Sequence, residues 1–165
     1  MKIYKNTNLK NRHCKGVLAI GNFDGIHLGH HKVIREAKQQ ANKNKLPFGI
    51  MTFEPMPVMF FNKKIKNHRI NSLDQKINQF KKLKIDFLII RKFNKKFSRL
   101  TAEKFIEKII FKKTKCKYLY VSNNFRFGFK RKGNIRTLKK FGKKFNYRNL
   151  IIKPFKKKNN VISST

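Results

Sequence analysis

The chain has 165 residues, of which 39% are hydrophobic, which is enough for one domain with a buried core and too little for a second catalytic domain. Its 43 Lys and Arg residues against seven Asp and Glu give a formal net charge of +36, a value that ordinarily suggests a nucleic-acid partner. The lysines are spread over every predicted element, however, so we interpret them as a solvated basic surface without a specific nucleic-acid partner. No apolar run has the length of a membrane span or a signal peptide, which predicts a cytoplasmic protein.

The first half of the chain predicts two strands with a helix between them. Residues 17–20 form an apolar run typical of a buried strand, and residues 29–44 carry apolar side chains at helical spacing. Residues 48–53 predict the second strand. The prolines that follow, in a segment reaching residue 61, exclude regular sheet there because proline lacks the backbone donor.

The second half continues the alternation of helix and strand. Ser72 predicts the N-cap of a helix that extends to Leu83, and residues 87–90 predict a buried strand. Thr101 predicts the cap of a helix over 102–111. A strand over 118–121, a helix from about Asn134 to residue 145 and a last strand over 150–152 complete the pattern, and residues 156–160 predict a polar, basic loop.

Strands joined by helices predict an α/β fold with a mostly parallel sheet of about five strands. In such sheets ligands bind beyond the carboxyl ends of the strands. Three segments with polar residues follow the strands that end near residues 20, 53 and 121. We therefore expect one cleft lined by all three segments.

The segment over 21–30 reads Gly-Asn-Phe-Asp-Gly-Ile-His-Leu-Gly-His between a strand and a helix. Unpaired N–H groups at the start of a helix, together with the helix dipole, favour phosphate oxygens there. Gly29 has no Cβ to hold a nucleotide away, and the spacing of His27 and His30 lets both donate into one pocket.

Two cysteines, Cys14 and Cys116, lack the paired spacing of zinc sites and are interpreted as reduced structural thiols.

The segment over 21–30 resembles the nucleotide-binding motif of the nucleotidyltransferase superfamily, and the form present here resembles the bacterial riboflavin kinase/FAD synthetase family. Residues 51–57 are similar to a second family segment, with Met56 in place of a histidine. Residues 121–128 are similar to the flavin-side segment, with Asn124 at its Asp/Asn position and Ser122 replacing a glycine. Residues 161–165 match the start of a second nucleotide motif, which normally continues to an arginine.

The resemblance implies a Rossmann-like nucleotidyltransferase fold and the transfer of AMP from ATP to FMN, giving FAD and pyrophosphate. The family is usually bifunctional, so residues 1–165 are interpreted as an adenylyltransferase domain cut within its last motif, with no riboflavin kinase domain in this chain. We expect the 165 residues alone to bind nucleotide weakly. Mg²⁺ is expected to arrive on the ATP phosphates, with no metal ligand assigned to the protein.

The resemblance also implies the site residues. The candidates for catalysis are His27 and His30. The candidates for binding ATP are Gly21, Phe23, Asp24, His27, Gly29, His30, Ser163, Ser164 and Thr165. The candidates for binding FMN are Phe53, Pro55, Asn124, Phe125, Arg126 and Phe127. His13 and His68 match no motif and are predicted to be surface residues, and His31 is expected to point away from the site.

Several alternatives stay open at the level of the sequence. Asp24 could order Mg²⁺ or cap the following turn, the paired histidines could cap a helix without a ligand, and Phe125 and Phe127 could belong to the core. Another nucleotidyltransferase that uses a different phosphorylated acceptor, such as a cytidylyltransferase or a pantetheine-phosphate adenylyltransferase, is the nearest rival function. A basic nucleic-acid-binding module on an inert fold is the rival from a different class.

Overall fold

The computed structural model describes residues 1–26, 28–62, 64, 70–152, 156–157 and 160–161. Its centre is a sheet of six parallel strands in the order β1-β4-β3-β2-β5-β6. The strands are β1 (Lys2–Tyr4), β2 (Val17–Ile20), β3 (Phe48–Glu54), β4 (Phe87–Lys92), β5 (Tyr118–Ser122) and β6 (Arg148–Ile152). The predicted parallel α/β architecture is confirmed.

The described residues form six α-helices, and three of these helices start at the caps predicted from the sequence. They are α1 (Leu28–Asn44), α2 (Pro57–Phe61), α3 (Leu73–Lys82), α4 (Lys95–Ser98), α5 (Ala102–Phe105) and α6 (Ile135–Phe145). The side chains of Ser72 and Asn134 each accept a hydrogen bond from the third residue of their helix, and Thr101 does the same for Lys104. These oxygens satisfy N–H groups that have no partner inside the helix.

Both faces of the sheet are covered, because side chains alternate along each strand. On β2, Val17 and Ala19 belong to a core that includes residues of α1 and α3, such as Val33 and Phe80. Leu18 and Ile20 belong to a core on the opposite face, which includes residues after α5 and from α6. The result is a three-layer domain with a core on each face of the sheet.

The sequence analysis missed β1, which pairs with β4 in the register Ile3↔Leu88. The hydroxyl of Tyr4 lies 2.8 Å from Nδ1 of His13, and the His13 ring stacks on Phe87 with centroids 4.9 Å apart. His13 is therefore 7% exposed, and its prediction as a surface residue is wrong. His68, predicted likewise, lies outside the described residues.

Three segments differ from their predicted form. The proline-containing segment after β3 holds the short helix α2, and the helix that begins at Ala102 continues beyond α5 as a π-helix over Ile106–Thr114. Within the predicted loop over 156–160, Lys156–Lys157 (β7) pairs antiparallel with Asn160–Val161 (β8). Among the described residues, no helix is long and apolar enough to cross a membrane.

Candidate active site at the carboxyl ends of the strands

The three predicted segments meet at one edge of the sheet, because β2 lies between β3 and β5. The chain runs outward from β2 to β3 and β4 and then returns to β5 on the other side of β2. Such a reversal opens a crevice at the carboxyl ends of the strands. Gly21, the first residue after β2, donates its N–H to the carbonyl of Met51 at 3.1 Å, which ties the first segment to β3. The convergence predicted from the sequence is confirmed.

The loop after β2 turns sharply at Phe23, whose φ is 49° and whose side chain is 2% exposed. The Phe23 ring meets the rings of His30 and Phe80 edge-on, at 5.2 and 6.0 Å between centroids. A Cβ on Gly21 would lie 3.2 Å from the Phe23 ring, so a small residue suits this position. Phe23, predicted to shape the ATP side, lies in the core, and its ring packs against the ring of His30.

Part of the predicted nucleotide site lies outside the described residues: His27, Ser163, Ser164 and Thr165. Gly29 and His30 are described, and both are half-buried in the first turn of α1. α1 has 17 residues, and its N-terminus lies at this edge of the sheet. The unpaired backbone N–H groups there, together with the positive end of the helix dipole, attract anions. The position suits an anionic ligand, as the sequence predicts.

Asp24 joins the loop after β2 to a distant segment. Its two carboxylate oxygens accept hydrogen bonds from the N–H groups of Ile70 at 2.9 Å and Asn71 at 3.2 Å. Gly25 follows with a φ of 69°, and a Cβ there would lie 2.7 Å from Ile70. Asp24 therefore holds the chain just before α3, a contact that the sequence analysis did not anticipate.

Lys76 lies buried beneath the same loop, with 3% of its surface exposed. Its ammonium group donates to the carbonyl of Asn22 at 2.8 Å and to the hydroxyl of Thr52 at 3.3 Å, while that hydroxyl donates to the same carbonyl at 2.9 Å. The sequence analysis did not identify Lys76. The available signal was its position on the apolar face of α3, four residues before the core residue Phe80.

The flavin-side candidates are joined by a continuous row of aromatic rings. Phe53 contacts Phe97, Phe97 contacts Phe105, and Phe105 contacts Phe127, with centroids 5.4–6.0 Å apart. Phe125 stacks on Phe127 at 5.4 Å. Phe53 and Phe127 are buried and Phe125 is half-buried. The row thus connects the segments that follow β3 and β5, and Phe127 forms part of the core as well.

Polar groups stand beside this aromatic row. Ser122, which replaces a family glycine, donates its hydroxyl hydrogen to Oδ1 of Asn124 at 2.8 Å and so orients that exposed amide. Arg126 is exposed, and Pro55 is half-buried. Met56, which replaces a family histidine, is 3% exposed and precedes α2, so the departure puts an apolar side chain into the interior.

Arg91 is a further basic residue at this edge that the sequence analysis missed. It lies on β4 in register with Phe53, and its guanidinium carbon lies 4.9 Å from the centroid of the Phe97 ring. Its Nε is buried and has no hydrogen-bond partner among the described residues. Burial lowers the pKa of Arg91 from its ordinary value. The available signal was an arginine directly after four apolar strand residues, at the edge where ligands bind.

The described side chains include no group of three His, Cys, Asp or Glu residues placed to share a metal ion. Cys116 is buried, and burial raises its pKa to about 12. A thiol in that state is a poor nucleophile and a poor metal ligand.

Comparison with known proteins gives a consistent family. The family model described as FAD synthetase matches residues 9–165. A bifunctional riboflavin kinase/FMN adenylyltransferase of Buchnera aphidicola subsp. Acyrthosiphon pisum is 41% identical over 166 residues, which cover 100% of this chain and 53% of the relative. The enzyme of that name from Haemophilus influenzae is 36% identical, with 89% and 48% covered. The chain spans about half the length of the curated relatives it matches.

Solved structures agree with the fold. A structure titled as a macrolide-efflux protein from Streptococcus pneumoniae has a TM-score of 0.81 and 26% identity, and the match covers 98% of this chain and 52% of that one. A pantoate-beta-alanine ligase from Francisella tularensis has a TM-score of 0.61 at 16% identity, covering 96% and 69%. The second likeness shows a shared fold alone.

Proposed function

The chain belongs to the FAD synthetase family, and we propose that it transfers the adenylyl group of ATP to FMN, giving FAD and pyrophosphate. The observation that carries the proposal is the meeting of three segments beyond the ends of β2, β3 and β5. One segment opens α1 with glycine and histidine, and the other two are linked by aromatic rings. Phosphates and a flavin ring require these two kinds of surface side by side.

In the proposed reaction an oxygen of the FMN phosphate attacks the α-phosphorus of ATP. The new P–O bond forms as the bond between the α-phosphorus and its bridging oxygen breaks, and pyrophosphate leaves with that oxygen. FMN phosphate is already ionised near neutral pH, so no strong base is required. The site has to position two polyanions and offset the growing charge on the leaving group.

We assign the phosphate side to the start of α1. His27 and His30 donate to the triphosphate, and Gly29 lets it approach the backbone. His30 is held in place by Phe23, whose ring packs against it. Gly21 and Asp24 shape the loop, and Ser163, Ser164 and Thr165 are proposed to approach from the opposite side. Mg²⁺ is proposed to enter with ATP, because this ion usually keeps several waters and is shared with substrate phosphates.

We assign the flavin side to the aromatic row and its polar neighbours. Phe53, Phe125 and Phe127 supply an apolar wall of the kind that an isoalloxazine ring requires. Pro55 borders that wall, Asn124 offers an oriented amide, and Arg126 offers charge to the FMN phosphate. The buried rings of this row also pack in the core on this face of the sheet, so the half-buried Phe125 is the ring best placed to contact a ligand.

The test is FAD formation from FMN and MgATP, followed chromatographically, by the protein expressed with any native residues that follow Thr165. His27→Ala is expected to lower the rate by at least about 100-fold, since the loss of one preorganised donor costs about 3 kcal/mol in the barrier. His31→Ala, which alters an exposed neighbour, is the matched control and should leave the rate unchanged. FAD formation at the same rate in the His27→Ala variant would remove His27 from this role, and no FAD from the wild type would refute the function.

A further inference from the structure

Arg91 lies near the carboxyl end of β4 and has no counterion among the described residues. The described residues provide it with no hydrogen bond to its buried Nε and no carboxylate partner, and its contact is with the face of Phe97. Leaving a charged group partly desolvated and unpaired costs stability, so a purely structural arginine at this place would be expected to have an acidic neighbour. An arginine in this condition is suited to receive an acceptor from a ligand.

The neighbours of Arg91 indicate which part of the ligand it meets. It is in register with Phe53 on the next strand, and Phe97 links both residues to the row that ends at Phe125. The guanidinium plane can therefore lie at the edge of an aromatic ligand that packs on these rings. Arginine presents a flat fork of N–H donors, which matches acceptors lying in the plane of a ring.

The distance from the phosphate side separates two possible acceptors. β4 lies two strands from β2, which is about 10 Å at the usual spacing of about 4.8 Å between strands. The ATP phosphates are assigned to the loop after β2 and the start of α1, and the FMN phosphate has to reach the α-phosphorus there, on the side of β2 and β5. In FMN the ribityl chain separates the phosphate from the ring, so a group at β4 is placed for the ring end of the molecule.

We propose that Arg91 is a specificity-determining residue that donates hydrogen bonds to the carbonyl oxygens on the pyrimidine edge of the flavin ring. This inference rests on the proposed function. It explains why a desolvated arginine stands among aromatic side chains, and it assigns to β4 a part of the site that none of the three motif segments supplies.

The test measures dissociation constants of FMN and riboflavin by fluorescence titration of the protein, expressed with any native residues that follow Thr165. Arg91→Met keeps the length of the side chain and removes the charge, and Arg91→Lys keeps the charge and removes the planar fork. Lys92→Met, at the exposed adjacent position, removes one positive charge from the same strand and is the matched control. Thermal unfolding of each variant is recorded alongside.

We expect Arg91→Met to weaken both flavins by about tenfold or more and by the same factor, because the lost contact is to the ring that they share. Arg91→Lys should weaken both by a smaller factor, and Lys92→Met should leave both unchanged. The unfolding temperature of Arg91→Met should stay level or rise. Unchanged flavin affinity, a loss confined to FMN, or a loss that follows unfolding in both Arg91 variants would overturn the inference, whereas a wild type that binds no flavin would instead refute the proposed function.

Discussion

The ammonium group of Lys76 lies 2.8 Å from the carbonyl oxygen of Asn22, two residues beyond the end of β2. A cation on α3 thus supports the backbone of the first motif from inside the domain. Thr52 on β3 completes the arrangement by donating to the same carbonyl. The loop that carries the candidate phosphate site is therefore fixed by two other elements, and its shape does not depend on its own residues alone.

Replacing Lys76 by Met should weaken ATP binding more than it weakens the fold. Met fills a similar volume, and Thr52 still donates to Asn22, so we expect a loss of about 1–2 kcal/mol in the free energy of unfolding. The KM for ATP should rise severalfold, because the loop loses a fixed contact. Denaturant unfolding and steady-state FAD formation measure the two effects. Lys81→Met, an exposed change on the same helix, should alter neither the free energy of unfolding nor the KM for ATP. An unchanged KM in Lys76→Met would contradict the proposal that Lys76 supports the loop after β2.

Replacing Asp24 by Asn should loosen the chain before α3. An amide retains one acceptor oxygen and turns an NH₂ group toward a backbone donor, so one of the two hydrogen bonds to residues 70 and 71 is lost. We expect faster hydrogen exchange at these two amides and a weaker affinity for ATP. Asp74→Asn, an exposed change in the first turn of α3, is the control. Equal exchange rates in wild type and Asp24→Asn would show that the contact carries little energy.

Replacing Arg126 by Ala should reduce the preference for FMN over riboflavin. Arg126 is exposed beside the flavin-side segment, where its charge can reach the phosphate that only FMN carries. We expect FMN to bind about tenfold more weakly and riboflavin to bind as before, measured by fluorescence titration. Arg131→Ala serves as the exposed control. Equal affinities of the wild type for the two flavins would mean that the phosphate is not recognised there.

The stability of the domain should fall in mild acid because of His13. Burial, followed by the charge of Arg12, lowers the pKa of His13 in the folded protein. The unfolded chain therefore takes up a proton first, at about pH 6.5, so this contribution is full above that pH and is lost as the pH falls further. Denaturant midpoints should drop more between about pH 7.5 and 5.5 in the wild type than in His13→Gln. His31→Gln should behave as the wild type, and an equal drop in all three proteins would exclude His13.

Binding to nucleic acid should be weak and without sequence preference. Exposed lysines are distributed over several elements, so association gains mainly from the release of counterions. Affinity for unrelated DNA duplexes should be similar and should collapse between about 50 and 200 mM salt. Selective binding that survives at the higher salt would favour the nucleic-acid module over the enzyme.

Most of the fold follows from local patterns that the sequence displays. Apolar runs locate β2 to β5, and Ser72, Thr101 and Asn134 mark helix starts because their side chains satisfy adjacent N–H groups. β1 escapes such analysis because three residues have no periodicity. Its position depends on pairing with β4, which lies more than 80 residues away in the sequence.

The location of the candidate site was predictable from the sequence, whereas the residues that hold its loop in place were not. Glycine and histidine after β2 indicate a phosphate site through local geometry. The supporting roles of Lys76 and Asp24 depend on contacts 46–54 residues away, which no local pattern encodes. The prediction that the lysines form a solvated surface is wrong for Lys76. This side chain is buried, and its ammonium group donates to a carbonyl and a hydroxyl that the fold brings together.

The three residues of β1 also prevent pairing between the sheets of two molecules. They cover the outer side of β4, whose backbone donors and acceptors would otherwise stand open as a template for a strand of another molecule. β1 is short, begins with Lys2 and is followed by Lys5, so the edge that it presents in turn is a poor partner for further pairing. Removal of residues 1–4 is therefore expected to expose the edge of β4 and to promote association between molecules, while the loops that follow β2, β3 and β5 keep their positions.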